Sequence, residues 1–191
     1  MRIVLVRHGA TLWSESGRHT GRTDIPLTEE GRDQARALAP LLFGYSPKTA
    51  LSSPLLRARE TAELAGFGDR IRIDPDLSEW DYGAYEGLTT AQIRHDRPGW
   101  DLFADGVPKG ESPEEAGHRA ERIVTKLRLE NADSILFAHG HILRLVVASW
   151  LGLSPDRARH FALKTATLTL LGYEHEWPAL LTMNGLAPLT P

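Results

Sequence analysis

The 191-residue sequence contains no cysteine, so it can form no disulfide, use no catalytic thiolate and build no cysteine-ligated zinc site. That absence agrees with a cytoplasmic address. No apolar run approaches the roughly 20 residues needed to cross a bilayer, which excludes a membrane-spanning helix. The amino terminus shows no basic stretch followed by a long apolar segment and a small-residue cleavage site, so nothing there marks export. Strong charge of one sign is missing too. A formal net charge of -3 leaves no global attraction to nucleic acid or anionic lipid. The expected partner is a small molecule, and any anion binding must be local. Lysine is scarce, four residues against eighteen arginines, so a lone arginine carries little weight and position must supply the argument.

What is present is ordinary for a globular protein: 41% hydrophobic and 25% charged residues. The length fits one domain over residues 1–191. "IVLV" (3–6) reads as a buried strand that ends in Arg7, His8 and Gly9. "LTEEGRDQARALAPLLF" (27–43) has helical apolar spacing, with Thr28 as N-cap and two acids in the first turn. A short strand, 49–53, precedes a helix over 54–66 with proline at its first position and glycine at its end. "RIRIDPDL" (70–77) suggests a strand, and 112–130 a long amphipathic helix opening on Pro113 and two acids. A strand over 135–138 leads into an apolar helix, and 166–174 and 178–185 close the chain as two strands, a candidate hairpin. This alternation predicts an α/β fold, a three-layer α/β/α arrangement with a mostly parallel central sheet and helices on both faces. Residues 83–111, rich in glycine and proline, read as a small irregular cap.

Ligands of open α/β sheets sit beyond the carboxyl ends of the strands. Three strand ends are polar here: Arg7-His8-Gly9, Ser52-Ser53 with Arg57 one turn on, and His139-Gly140-His141. If these strands are neighbours, two histidines and two arginines share one pocket, and a dianionic phosphate is their natural counter-charge. The helix starting near Gly140 would add backbone N–H groups and its positive dipole end. An imidazole there can attack phosphorus in line while arginines hold the equatorial oxygens. The leaving alkoxide then needs an acid still protonated near neutral pH. "LSEWDYGAYEG" offers Glu79, Asp81 and Glu86, which the spacing alone does not rank.

Five ordered stretches, "VRHGAT", "TGRTDIPLTEEGRDQA", "SSPLLRARETA", "SEWDYGAYEG" and "FAHGHILR", resemble the motifs of the histidine phosphatase superfamily, the phosphoglycerate mutase-like fold, over most of residues 1–152. Carried over by position, the resemblance implies that His8 is the phosphorylated nucleophile. Arg7, Arg57 and His139 would form the phosphate pocket and Glu79, four residues before Gly83, would donate the proton. It places Ser14, Thr20, Gly21, Tyr82 and Gly140 along the phosphate or substrate pocket; Ser14 departs from the Asn common in the mutases. It implies no metal and no cofactor.

Within the superfamily, "WSESGRHTGRTD" and "SEWDYGAYEGLTT" look most like sugar bisphosphatases resembling sedoheptulose-1,7-bisphosphatase and like bacterial broad-specificity acid phosphatases. The implied reaction is hydrolysis of small phosphorylated metabolites, sugar phosphates or bisphosphates. The alternatives are a cofactor-dependent phosphoglycerate mutase and a non-catalytic phospho-ligand module. The mutases carry an arginine where Trp80 stands, and a short cap shields a phosphoenzyme poorly from water. "HGH" as a metal pair lacks an obvious third ligand, which leaves His141 as a pocket-wall residue. Arg144 reads as a structural ion-pair former, and Arg18, His19, Arg22, Arg94, His95, Arg97 and Lys109 as candidates for a second phosphate. A homodimer is left open.

Overall fold

The computed structural model describes residues 1–189; the last two positions of the expected domain lie outside the described residues. In chain order the elements are β1 (Ile3–Arg7), α1 (Leu12–Glu15), α2 (Glu29–Arg36), α3 (Leu38–Leu41), β2 (Thr49–Ser52), α4 (Leu56–Leu64), β3 (Arg72–Ile73), α5 (Thr90–Asp96) and α6 (Leu102–Asp105). Then come α7 (Pro113–Glu130), β4 (Ser134–Ala138), α8 (Gly140–Trp150), β5 (Leu168–Glu174) and β6 (Trp177–Gly185). The strands form one six-stranded mixed sheet in the order β3-β2-β4-β1-β5-β6. Strands β3, β2, β4 and β1 run parallel, and β5 and β6 add an antiparallel hairpin.

Alternation along the strands builds a core on each face of this sheet. Ile3, Leu5, Leu51, Leu136 and Ala138 pack with Ile123, Leu127, Ile142 and Val146 of α7 and α8 and with the cap aromatics Trp100 and Phe103. Val4, Val6, Ala50, Ile135 and Phe137 pack instead with Leu38, Leu42, Ala62 and Phe67 on the opposite face. Helices therefore cover both faces, as the strand–helix alternation predicts. No helix among the described residues is long and apolar enough to cross a membrane.

Several boundaries differ from the sequence reading. The helix expected over 27–43 splits into α2 and α3 at Ala37. Pro40 lacks the N–H that would reach Arg36 and its ring crowds that carbonyl, so one helix cannot run through. The helix expected from Pro54 starts at Leu56, with Pro54 outside it. The strand expected over 70–77 shrinks to Arg72–Ile73, because Pro75 opens a short 3-10 turn over Pro75–Leu77. The cap is less irregular than expected: α5 starts on a capping box of Thr89 and Gln92, and α6 on Asp101.

Candidate active site

Strand β4 lies between β1 and β2, so the three polar strand ends meet at one edge of the sheet. Gly9 and Gly31 let the turn after β1 press against the start of α2. A Cβ on Gly9 would lie 2.2 Å from the Gly31 carbonyl oxygen, and one on Gly31 would lie 2.1 Å from that of Ala10. Close backbone approach, rather than a left-handed turn, is what requires glycine after His8.

His8 is 5% exposed, and its Nδ1 is 2.7 Å from the Gly9 carbonyl. A carbonyl only accepts, so Nδ1 carries the proton and Nε2 keeps its lone pair. Burial, reinforced by Arg7 and Arg57, pushes this imidazole down to about 3, so it is neutral at physiological pH. Arg7 donates from Nη1 to the Leu163 carbonyl at 2.6 Å. Its Nε is buried without a hydrogen-bond partner, the one such side-chain nitrogen or oxygen among the described residues. An orphaned buried donor costs on the order of 1–3 kcal/mol unless a ligand satisfies it.

Arg57 is fully buried and committed to the protein. It donates from Nε to His139 Nδ1, from Nη1 to the Thr23 carbonyl and from Nη2 to those of Thr20 and Gly21, each at 3.1 Å. His139 Nδ1 is thereby an acceptor, and its Nε2 donates to Ser53 Oγ at 2.7 Å. Burial and then the Arg57 charge hold this imidazole well below the ordinary range. Its ring lies 5.2 Å from that of His8. Arg57 and His139 are thus fully buried beside His8, and neither is among the residues lining the cavity.

Of the three acids, Glu79 is the one whose carboxylate meets the first turn of α8. Oε1 accepts from the N–H groups of Trp80 and Ile142, both at 2.9 Å, and Oε2 from that of His141 at 3.0 Å. Two N–H groups of the first turn of α8, those of His141 and Ile142, therefore serve Glu79, where the sequence reading would give them to a ligand. Burial pushes the Glu79 carboxyl up, but hydrogen bonding and proximity to His141 outweigh it and hold the group well below the carboxylate range. The acid expected to be protonated near neutral pH is an anion. The Tyr82 hydroxyl lies 2.5 Å from His141 Nδ1, and that nitrogen is 3.7 Å from Glu79 Oε2. Asp81 instead pairs with Arg22, and Glu86 accepts from the Gly21 and Thr23 N–H groups.

A cavity of about 280 Å³ opens in front of His8, with Arg7, Ser14, Thr20, Glu79, Tyr82, Gly140 and His141 among its walls. At sequence level the model of the histidine phosphatase superfamily (branch 1) matches residues 3–185. The chain belongs to the histidine phosphatase superfamily. An acid phosphatase of Mycobacterium tuberculosis is 42% identical over 179 residues, 91% of this chain and 87% of the relative. The sedoheptulose 1,7-bisphosphatase of Saccharomyces cerevisiae is 35% identical over 189 residues, 82% of this chain and 69% of the relative. The solved structure of an open reading frame product from M. tuberculosis superposes with a TM-score of 0.91 at 38% identity, covering 96% of each chain.

In this histidine phosphatase, Ser14 lines the cavity while its hydroxyl closes the capping box of α1 with Thr11. Gly21 does not reach the cavity wall; its N–H is held by Glu86, and a Cβ there would lie 2.6 Å from the Trp80 carbonyl oxygen. Trp80 is core, its indole N–H bound to the Glu111 carbonyl. Arg144 lines the cavity and donates to the carbonyls of Ala158 and Arg159 in place of the expected ion pair. Of the second-phosphate candidates, Arg18 and His19 line the cavity, joined by Lys164, which no motif flagged. The other segment missed in the sequence is the stretch around Leu163: it acts through backbone carbonyls, which leave no pattern in residue types.

Proposed function

We propose that the protein hydrolyses small phosphorylated metabolites, sugar phosphates or bisphosphates, through a phosphohistidine on His8, with residues 1–191 acting as one domain. The observation that carries this reading is the tautomer of His8, fixed by Gly9 so that Nε2 is free, beside the unsatisfied Nε of Arg7. His8 Nε2 forms the N–P bond as the ester P–O bond breaks, with Arg7 binding equatorial oxygens. Arg57 and His139 are buried beside the nucleophile. Glu79, an anion in the free protein, takes a proton from the entering substrate when it binds as the monoanion, which carries one proton because the second pKa of a monoester is near about 6. That proton passes to the leaving alkoxide. Water then attacks phosphorus, the N–P bond breaks, and Glu79 accepts the water's proton and returns it as phosphate leaves.

Arg18 and Lys164 have no ion-pair partner among the described residues and line the same cavity, which suits a substrate with a second anionic group. The acid phosphatase and sedoheptulose bisphosphatase relatives support this substrate class. The test is hydrolysis of a generic phosphomonoester in EDTA, with acid-stable and acid-labile phosphate followed on the protein. Turnover that persists in EDTA, is inhibited by vanadate and vanishes in His8→Ala is expected; full activity in that variant overturns the mechanism. Interconversion of 3-phosphoglycerate with a bisphosphoglycerate primer should be negligible beside hydrolysis.

A further inference from the structure

The hairpin that closes the sheet leaves its register next to the cavity. Leu168 pairs with Gly185 but Leu170 with Thr182, so β6 carries one residue more than β5 across this step. Asn184 occupies the bulge at φ +58, a backbone region that asparagine and glycine enter most readily. Its side chain spans the segment 162–167: Oδ1 accepts from the Lys164 N–H at 2.7 Å and lies 3.1 Å from Thr167 Oγ1, and Nδ2 donates to the Ala162 carbonyl at 2.7 Å.

That segment holds the tip of β1. The Leu163 carbonyl accepts from Arg7 Nη1 at 2.6 Å, and the Ala166 N–H donates to the carbonyls of Arg7 at 2.9 Å and His8 at 3.3 Å. Ala166 itself sits at φ +46, a left-handed conformation disfavoured for a residue with a Cβ, so its surroundings must impose it. Ala162, Leu163 and Lys164 all line the cavity.

We propose that Asn184 is a positioning residue: it fixes segment 162–167 and, through the Leu163 carbonyl, the orientation of the Arg7 guanidinium toward bound phosphate. This rests on Arg7 as a phosphate ligand. The deciding variant is Asn184→Gly, which accommodates the positive φ and removes only the side chain. In the full chain it should weaken inhibition by vanadate and lower kcat/KM about tenfold each, the scale of a slightly misplaced catalytic group. Combined with Arg7→Ala it should add less than about twofold to the loss from Arg7→Ala alone, because the two act through one interaction. Asn184→Asp, which keeps the Oδ1 acceptor but turns the donor facing the Ala162 carbonyl into an acceptor, should share the defect with the fold intact by circular dichroism. The proposal is overturned if Asn184→Gly leaves vanadate inhibition within twofold of the parent, or if its effect is equally large in the Arg7→Ala background. If Arg7→Ala itself leaves vanadate inhibition unchanged, the reading of Arg7 as phosphate ligand fails and the proposal with it, an outcome separable from failure at Asn184 alone.

Discussion

At the scale of single residues, the site depends on which atoms carry protons. His8 is held neutral to about 3 by burial and the two guanidiniums. Below that value the nucleophile is protonated and idle; above it the lone pair on Nε2 is available. With an aryl phosphate, whose leaving group needs no proton, kcat/KM corrected for substrate ionisation should stay flat from about pH 7 to about pH 5. A limb with a midpoint near about 6.5, the ordinary imidazole value, would show that His8 titrates as if exposed. Glu79 carries the complementary prediction. Glu79→Gln keeps the shape but cannot carry a proton, so it should slow an alkyl phosphate by about 10²–10⁴ and an aryl phosphate by less than about tenfold. Equal losses on both esters would remove Glu79 from the proton transfer.

At the scale of elements, the parts of the fold written locally were legible, and those set by distant contacts were not. The start of α7 is local: Ser112 accepts from the Glu115 N–H, Glu115 reaches back to the Ser112 N–H, and Pro113 takes the first turn. Ser112→Ala should therefore cost about 1 kcal/mol and lower the thermal midpoint by about 2–4 °C, read by calorimetry. Thr28 caps α2 in the same way, accepting from the Gly31 N–H, and was equally visible. The polar strand ends bearing Arg7, Ser52 and His139 were visible in sequence, but their meeting depends on β4 lying between β1 and β2. Choosing Glu79 over Asp81 and Glu86 likewise depends on N–H groups at positions 141 and 142, far along the chain. The helix break before Pro40 was available in principle, whereas the reach of Asn184 to Ala162 and Lys164 depends on a bulge that no residue spacing announces.

At the scale of the whole molecule, the burial that prepares the site makes the fold sensitive to acid. The imidazoles of His8 and His19 are pushed down mainly by burial, to about 3 and about 4, and those of His139 and His141 shift in the same direction. Unfolding returns each to its ordinary value near about 6.5. Between the folded and unfolded values the unfolded chain binds protons that the folded chain refuses, so stability falls as pH drops below about 6.5. At about pH 5, His8 and His19 each withdraw up to about 2 kcal/mol relative to neutral pH. Glu79, depressed by His141 and backbone N–H groups against its burial, acts lower down: its stabilisation is intact above its unfolded value near 4.5 and is lost only below it. It therefore cannot offset the histidines in this window. The thermal midpoint should fall by on the order of 10 °C between about pH 7.5 and about pH 5, and His19→Asn should show a shallower decline because one refusing imidazole is gone. A midpoint that does not move across this range would mean that the folded protein protonates these histidines freely, and the neutral lone pair on His8 would go with it.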